Sequence, residues 1–360
     1  MNPLIGFICF VSTFLIITYG AQLFVIWTNQ CLFNNSMTLF CYLIPVFILV
    51  FIFLIIFITR KCESIYSFLY LIVWLYGGYV FYIFFIAVIL RIIDACVDIP
   101  KAVGVPLLFG IPFLICVYGI INALITKIIR ITLKFKGYKE KITILHLSDI
   151  HLGAIHQKGS SERIVKETQN LNPDIVVITG DMADGTLKVK LDWLKPFDEL
   201  TMPILYVTGN HEEMNPTDEM IKVVNQTKIK HIGQHGRFLF KNVNFIGEDF
   251  GINLKESLEN IKQEEGTPNV LLSHVPNMKP EELEKYNIFL FLAGHTHGGQ
   301  MFPLHIPAYC VNACFSGLYS DKQNLHHVFV SDGVNNSCAP MRVGSSRVFD
   351  LVNIIEDEED

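Results

Sequence analysis

One stretch of the sequence, residues 142–151, indicates which kind of fold and site to expect. It reads Ile-Thr-Ile-Leu-His-Leu-Ser-Asp-Ile-His, so an apolar, β-rich run ends in Asp149 and His151. Side chains two positions apart on an extended segment point to the same side, so Asp149 and His151 can bind one metal ion together. The stretch therefore predicts a strand with metal ligands at its carboxyl end.

Four more polar segments follow predicted strands downstream. They are Thr179–Gly185 (TGDMADG), Thr208–Glu212 (TGNHE), Ser273-His274 and Gly294–Gln300 (GHTHGGQ). Ligands in open α/β sheets commonly bind beyond the carboxyl ends of the strands. The Asp, His and Asn side chains of these segments favour a divalent transition ion such as Mn, Zn or Fe, because Mg and Ca prefer oxygen ligands alone. A lone Gly-Asp or His-x-His is more often a turn or a structural histidine, but five such segments in order are not explained by coincidence.

The same region alternates short β-rich runs with helix-like segments, which favours an α/β fold in which helices cover the sheets. The remaining predicted strands are 174–178, 204–207, 238–246, 270–272, 288–292 and 327–330, and the predicted helices are 161–171, 187–200, 216–226, 255–264 and 279–286. Residues 131–136 and 141–147 flank a turn at Gly137 and are interpreted as a β-hairpin. A basic interfacial helix is the alternative for this part.

The first third of the chain has a different composition. No Asp, Glu, Lys or Arg occurs before Arg60, although the whole chain has 28 basic and 34 acidic side chains. Apolar stretches at about 4–26, 38–59, 65–90 and 103–125 could each cross a hydrocarbon core about 30 Å thick. The first lacks the basic start of a cleaved signal peptide. We therefore expect an all-α transmembrane region at 1–126, with about four helices in a lipid bilayer.

The charges beyond the last apolar stretch predict the orientation of a multi-pass membrane protein. Residues 127–141 carry six basic side chains and only one acidic one, Glu140. Basic residues next to membrane helices favour the cytosol, so we expect the domain at 127–354 to be cytosolic. An acidic tail at 355–360 should remain solvated and disordered. The net charge of −6 gives no reason to expect a nucleic-acid partner.

At these segments the sequence resembles the calcineurin-like metallophosphoesterase family, whose pattern is D-x-H, G-D-x-x-D, G-N-H-[DE], a later H and G-H-x-H. The resemblance covers about residues 140–352 and extends to a membrane-anchored, bacterial-type branch, marked by GHTHGGQ, Gly317–Tyr319 and Pro340–Gly344. It implies a four-layer α/β/β/α sandwich with two divalent metal ions. The chain departs from the family at Ser331-Asp332-Gly333, usually Ser-Arg-Gly, and at Ser346-Arg347, usually Pro-Glu. Both departures bear on substrate preference.

The resemblance also implies a role for each site residue. It assigns the first metal to Asp149, His151 and His297, both metals to Asp181, and the second metal to Asn210, His274 and His295. His211 is not a ligand in this scheme but protonates the leaving alcohol, and Asp184 orients it. A helix cap is the alternative for Asp184. Glu212 and Glu213 are interpreted as solvated residues at the start of a helix.

Two metals about 3.5–4 Å apart would ionise a bridging water, and a nearby histidine would supply the proton. The predicted function is therefore phosphate-ester hydrolysis without a covalent enzyme intermediate. The adjacent membrane region and the basic stretch favour a phospholipid or another lipid-linked phosphoester or pyrophosphate as substrate. One alternative is a membrane-tethered phosphoprotein phosphatase, although Gly185 stands where that class has Arg. A non-catalytic receptor or scaffold is the other alternative, and the complete ligand set argues against it.

Overall fold

The structure is a computed structural model that describes residues 3–33, 62–214, 217–260 and 266–357. The chain divides into two compact units. One comprises Met1–Asn122 with Cys338–Met341, and the other comprises Ala123–Ser337 with Arg342–Asp360.

The first unit is helical. Its helices in the described ranges are α1 (Pro3–Phe33), α2 (Glu63–Asp94) and α3 (Lys101–Leu124). Helices α2 and α3 are long and apolar enough to cross a membrane, and they coincide with the predicted stretches 65–90 and 103–125. Helix α1 contains the stretch 4–26, whereas 38–59 lies outside the described residues. A bundle of four membrane helices therefore remains a prediction.

The second unit contains two six-stranded mixed sheets. The first has the order β1-β12-β2-β3-β4-β5 and the second the order β10-β11-β9-β8-β7-β6. The strands of the first are β1 (Thr126–Phe135), β2 (Ile142–Leu147), β3 (Ile175–Thr179), β4 (Ile204–Val207), β5 (Ile229–His231) and β12 (Arg347–Glu356). Those of the second are β6 (Gly236–Phe240), β7 (Val243–Gly247), β8 (Asn269–Leu272), β9 (Leu290–Ala293), β10 (Gly317–Ser320) and β11 (His327–Val330).

Helices cover the outer faces of the sheets. They are α4 (Lys158–Leu171), α5 (Leu191–Leu194), α6 (Thr217–Val224), α7 (Leu254–Asn260) and α8 (Pro280–Leu283). A further short helix, α9 (His305–Val311), has no buried residue and covers neither sheet. Single 3₁₀ turns occupy Lys195–Glu199, Glu212–Met214, Glu284–Tyr286 and His297–Gly299.

The alternation of side chains along the strands explains the layers. On β3, Val176 and Ile178 pack on the helical side with Ile164 of α4, whereas Ile175 and Val177 lie in the core between the sheets. The outer face of the second sheet packs against α7 and α8 through a third buried cluster. Strands that are buried on both faces require helices outside both sheets. The α/β/β/α order agrees with the prediction.

The predicted hairpin at 131–136 and 141–147 is wrong. Both segments are strands, but β12 lies between them, parallel to β1 and antiparallel to β2. The local pattern of apolar and polar residues indicates only that each segment is extended. It cannot show that β12, about 200 residues later, lies between β1 and β2 in the sheet. Strand β12 continues through Glu356, so the predicted tail 355–360 begins too early, and residues 358–360 lie outside the described ranges.

The predicted strand 238–246 is a hairpin. Lys241 and Asn242 have φ values of 46° and 51°, and the chain reverses there between β6 and β7. Two consecutive residues with positive φ are typical of the tight turn that joins antiparallel strands. The predicted helix 187–200 is reduced to α5 and the following 3₁₀ turn. Strands β5, β10 and β12 were not predicted.

Candidate active site

The predicted site residues lie at the carboxyl ends of parallel strands from both sheets. Asp149 and His151 follow β2, Asp181 and Asp184 follow β3, Asn210 and His211 follow β4, His274 follows β8, and His295 and His297 follow β9. Strands β2, β3 and β4 are parallel neighbours in the first sheet, as are β8 and β9 in the second. The fold therefore brings together all five sequence segments.

Asp149, His151 and His297 form the first cluster of ligand atoms. The Nε2 atom of His297 is 3.2 Å from Oδ1 of Asp149, and Nε2 of His151 is 3.7 Å from the same oxygen. The two imidazole Nε2 atoms are 3.0 Å apart. Three donor atoms thus converge within reach of a single cation.

A second group surrounds the carboxylate of Asp181 and the amide oxygen of Asn210. Oδ2 of Asp181 is 3.2 Å from Nε2 of His274 and 3.8 Å from Nε2 of His151, which belongs to the first cluster. Oδ1 of Asn210 is 3.0 Å from Nε2 of His274 and 2.9 Å from Nδ1 of His295. Asp181 therefore lies between the two groups.

The backbone at this site adopts an uncommon conformation. Five of the candidate ligands have positive φ: Asp149 (57°), His151 (49°), Asp181 (51°), His295 (73°) and His297 (52°). Such residues cost about 1–3 kcal/mol each and persist only where the surrounding structure imposes them. The backbone around them is closely packed, since a Cβ atom at Gly294, next to His295, would overlap the hydroxyl of Ser148.

Burial keeps most of the histidines neutral, as metal ligands must be. It lowers the pKa of His151, His295 and His297. For His274 burial acts in the same direction, but the carboxylates of Asp181 and Asp149 outweigh it and raise its pKa to about 10. A neutral imidazole presents a lone pair to a cation.

The aspartates at the centre of the site are ionised. Burial alone would raise the pKa of Asp149, but His297 and His151 outweigh it and hold the pKa well below its ordinary value. His274 has the same effect on Asp181. Oδ1 of Asp149 and Nδ1 of His151 are buried and have no hydrogen-bond partner among the described residues. A buried ionised oxygen with neutral imidazoles beside it fits a divalent transition ion.

His211 contacts Asp184 in a way that the prediction did not anticipate. Its Nδ1 atom is 2.9 Å from the backbone carbonyl oxygen of Asp184. The carboxylate instead accepts hydrogen bonds from the Ala154 amide (3.1 Å) and from the amide (2.7 Å) and hydroxyl (2.5 Å) of Thr186. The side chain of Asp184 therefore links its own turn to the loop that follows β2. The helix cap is wrong, because no helix of the described residues begins at Asp184. The role of Asp184 in orienting His211 stays a prediction, and the contact that the structure shows is made by its backbone carbonyl.

Glu212 was wrongly interpreted as solvated. It is fully buried, and its carboxylate accepts hydrogen bonds from the amides of Asp181 (3.0 Å), Gly209 (2.6 Å) and Ala183 (2.8 Å). Burial, reinforced by the charge of Asp181, raises the pKa of Glu212 to about 7. The sequence signal for a role of Glu212 in the site was its position directly after His211 in the Gly-Asn-His-Glu segment. Glu213 is exposed, as predicted.

Arg342 is a second positioning residue that sequence reasoning did not assign. It is fully buried and donates to the backbone carbonyls of His297 (3.0 Å), Asp332 (2.6 Å) and Asn335 (2.5 Å). Burial lowers the pKa of Arg342 to about 10, which leaves it charged near neutral pH. The guanidinium therefore fixes the backbone of the loop that carries His297.

Two mixed sheets between helical layers, with Asp, Asn and His side chains at the carboxyl ends of parallel strands, define the class of metal-dependent phosphoesterase domains. Residues 142–299 match the family model described as calcineurin-like phosphoesterase, so this region of the chain is similar to that family.

Relatives come from animals and bacteria. Over 235 residues the chain is 31% identical to a Caenorhabditis elegans protein provisionally named as a metallophosphoesterase, covering 59% of this chain and 48% of that one. A Bos taurus protein named transmembrane protein with metallophosphoesterase domain is 31% identical over 57% of this chain and 51% of its own length. An uncharacterized metallophosphoesterase of Helicobacter pylori is 28% identical over 56% of this chain and 57% of its own length. The chain thus spans about half the length of these relatives.

Proposed function

We propose that this protein is a membrane-anchored phosphoesterase that uses two divalent metal ions to hydrolyse a phosphate ester or pyrophosphate, with a lipid-linked compound as substrate. The observation that carries the proposal is the convergence of six other candidate ligand side chains with Asp181, whose Oδ2 lies 3.2 Å from His274 and 3.8 Å from His151.

The proposed ligand sets follow the two clusters. Asp149, His151 and His297 would hold one ion, Asn210, His274 and His295 the other, and Asp181 both. When bound, a pair of divalent ions lowers the pKa of a water molecule and neutralises charge on the phosphoryl oxygens.

His211 is the proposed general acid. Its Nδ1 atom donates a hydrogen bond to the carbonyl oxygen of Asp184, which fixes the ring, and its Nε2 atom is 3.9 Å from Oδ2 of Asp181. Nε2 of the protonated ring therefore faces the cluster and can give its proton to the oxygen of a leaving alcohol. General acid catalysis of this kind contributes about 10²–10⁴-fold to a rate.

The lipid-linked substrate is supported by the rest of the chain. Helices α2 and α3 are candidate membrane spans, and β1 begins at Thr126, two residues after α3 ends. Strand β1 exposes the basic side chains of Lys127, Arg130 and Lys134. Near an anionic membrane surface each cation contributes about 1 kcal/mol. These features favour substrates with anionic headgroups in the bilayer.

The test uses the full chain in detergent micelles, with p-nitrophenyl phosphate and bis(p-nitrophenyl) phosphate as substrates. We expect hydrolysis that chelation abolishes and that Mn, Zn or Fe restores, with bound metal in the elemental analysis. His211→Ala should reduce kcat about 10²-fold or more without loss of metal. His235→Ala is the matched control, because that side chain is 53% exposed and lies on a different loop. Equal rates for the wild type and His211→Ala would contradict the proposal.

A further inference from the structure

An exposed apolar surface begins directly after the loop that carries His295 and His297. We call residues 302–311 the apolar patch. Its large side chains are exposed to water, at 56% for Phe302, 43% for Leu304, 61% for Ile306, 67% for Tyr309 and 80% for Val311. Scattered apolar side chains are normal on a protein surface, but a contiguous group of this size marks an interaction site.

The patch lacks the charges that a surface segment in water carries. No Asp, Glu, Lys or Arg occurs between Lys285 and Asp321. Helix α9, which lies within the patch, has no buried residue, so its apolar side chains are not part of a core. A surface helix in water normally exposes a polar face. The surroundings of the patch must therefore be apolar.

The patch has a fixed position relative to the metal-ligand loop. The amide of Gln300 donates to the carbonyl of His297 at 3.0 Å, and the amide of Phe302 donates to the carbonyl of Val343 at 2.8 Å. Arg342, next to Val343 in sequence, donates to the same carbonyl of His297. The start of the α9 backbone packs against Gly299, where a Cβ atom would lie 2.6 Å from Cα of His305. Whatever the patch contacts is therefore held near His297.

The chemistry of the patch favours a lipid bilayer as its occupant. Aromatic and aliphatic side chains are the ones that membrane-bound segments bury at the boundary between the headgroups and the acyl chains. A protein partner would need a polar rim with charged or hydrogen-bonding groups around the apolar centre. The described residues of the same chain include two candidate membrane spans, and β1 begins two residues after α3 ends. A bilayer is therefore within reach of the domain.

We propose that residues 302–311 insert into the interface of the bilayer and bring the candidate metal site to phosphoesters in that membrane. The insertion does not depend on the proposed function, whereas the delivery of substrate does.

Insertion is tested by photo-crosslinking in the full chain, reconstituted in phosphatidylcholine vesicles that contain phosphatidylglycerol. A p-benzoylphenylalanine residue replaces Ile306 or Tyr309, and lipid adducts on the peptide are measured by mass spectrometry. Leu239 is the matched control, because it is 57% exposed and lies on β6, at the opposite edge of the sheet from β10. We expect about tenfold more lipid adduct at 306 and 309 than at 239, since inserted side chains leave water for the acyl region.

Adduct yields at 306 and 309 no higher than at 239 would overturn insertion, and so would adducts formed mainly with a second copy of the chain. This readout does not require hydrolysis, so it remains decisive if the proposed function fails.

Delivery of substrate is tested with the Ile306→Ser/Tyr309→Ser double variant. Its rate on phosphatidic acid in the same vesicles is divided by its rate on soluble p-nitrophenyl phosphate. We expect this ratio to fall about tenfold relative to the wild type, because two apolar anchors are lost. Leu239→Ser and Leu325→Ser, both at exposed positions outside the patch, should leave the ratio unchanged. An unchanged ratio in the double variant would overturn this part of the proposal.

Discussion

The Nδ1 atom of His211 lies 2.9 Å from the backbone carbonyl oxygen of Asp184, while the carboxylate of Asp184 points to the amides of Ala154 and Thr186. The ring of the proposed general acid is thus oriented by the main chain. A carbonyl acceptor places the proton on Nδ1 in the neutral tautomer, and Nε2 then gains and loses the catalytic proton. The acidic side chain does not share that proton.

Asp184→Asn should therefore reduce kcat by less than about tenfold, whereas His211→Ala should reduce it by about 10²-fold or more. The asparagine side chain can still accept from Thr186, so the carbonyl of residue 184 keeps its position. The measurement is kcat against pH for both variants. A loss in Asp184→Asn as large as that in His211→Ala would show that the carboxylate acts directly.

Glu212→Ala should remove the hydrogen bonds that hold the backbone of the candidate site in place. It leaves the buried amides of Asp181, Ala183 and Gly209 without their acceptor, at a cost of about 1–3 kcal/mol for each orphaned group. We expect a lower midpoint of thermal unfolding in micelles and less bound metal by elemental analysis. Glu213→Ala, at the exposed neighbour, is the control. Unchanged metal content in Glu212→Ala would contradict its positioning role.

Arg342→Met should release the loop of His297. The carbonyls of His297, Asp332 and Asn335 lose a shared donor. The carbonyl of His297 keeps the amide of Gln300, whereas those of Asp332 and Asn335 lose the Arg342 donor at about 1–3 kcal/mol for each carbonyl left unpaired. Arg342→Lys keeps the charge but not the planar fork, so its loss of stability and of metal affinity should be intermediate. Arg237→Met, at an exposed position on β6, serves as the control. A metal titration and thermal unfolding should both rank the wild type above Arg342→Lys, and Arg342→Lys above Arg342→Met. If Arg342→Lys behaved like the wild type in both measurements, the role of the planar guanidinium would be refuted.

Asp350 should make the stability of the domain depend on pH. Its side chain is fully buried on β12 and accepts a hydrogen bond from Ser331 at 2.5 Å, and burial raises its pKa from 3.8 to about 8. The native state therefore keeps a proton that the unfolded chain releases near its ordinary pKa. This contribution to stability is complete below about pH 4 and is lost as the pH rises towards 8, at about 1.4 kcal/mol per pH unit.

Asp350→Asn removes this titration. The midpoint of thermal unfolding of the variant should therefore rise relative to that of the wild type between about pH 4 and about pH 8. Asp192→Asn, at a side chain that is 63% exposed and paired with Lys158, is the control, and its difference from the wild type should not change between about pH 4 and about pH 8. A difference between Asp350→Asn and the wild type that does not vary with pH would contradict the assignment.

Local patterns were sufficient for much of the fold. Apolar runs bounded by glycine predicted β3, β4, β8, β9 and β11, because a strand that is buried on both faces has a distinctive composition. Local patterns failed where neighbouring strands in a sheet are far apart in the sequence. Strand β12 lies between β1 and β2, and Lys241-Asn242 turns the chain without the glycine that usually marks such a turn.

The sequence by itself determined which side chains are available for chemistry, because Asp149, His151 and the other candidate ligands occur in short segments at the ends of strands. It also determined the contrast between the apolar first third and the charged remainder. Only the tertiary structure decided that the carbonyl of Asp184 contacts His211, that Glu212 is buried beneath Asp181, and that Arg342 supports His297. These relationships depend on where loops from separate strands meet. Local periodicity cannot show this, because each contact joins residues from different segments of the chain.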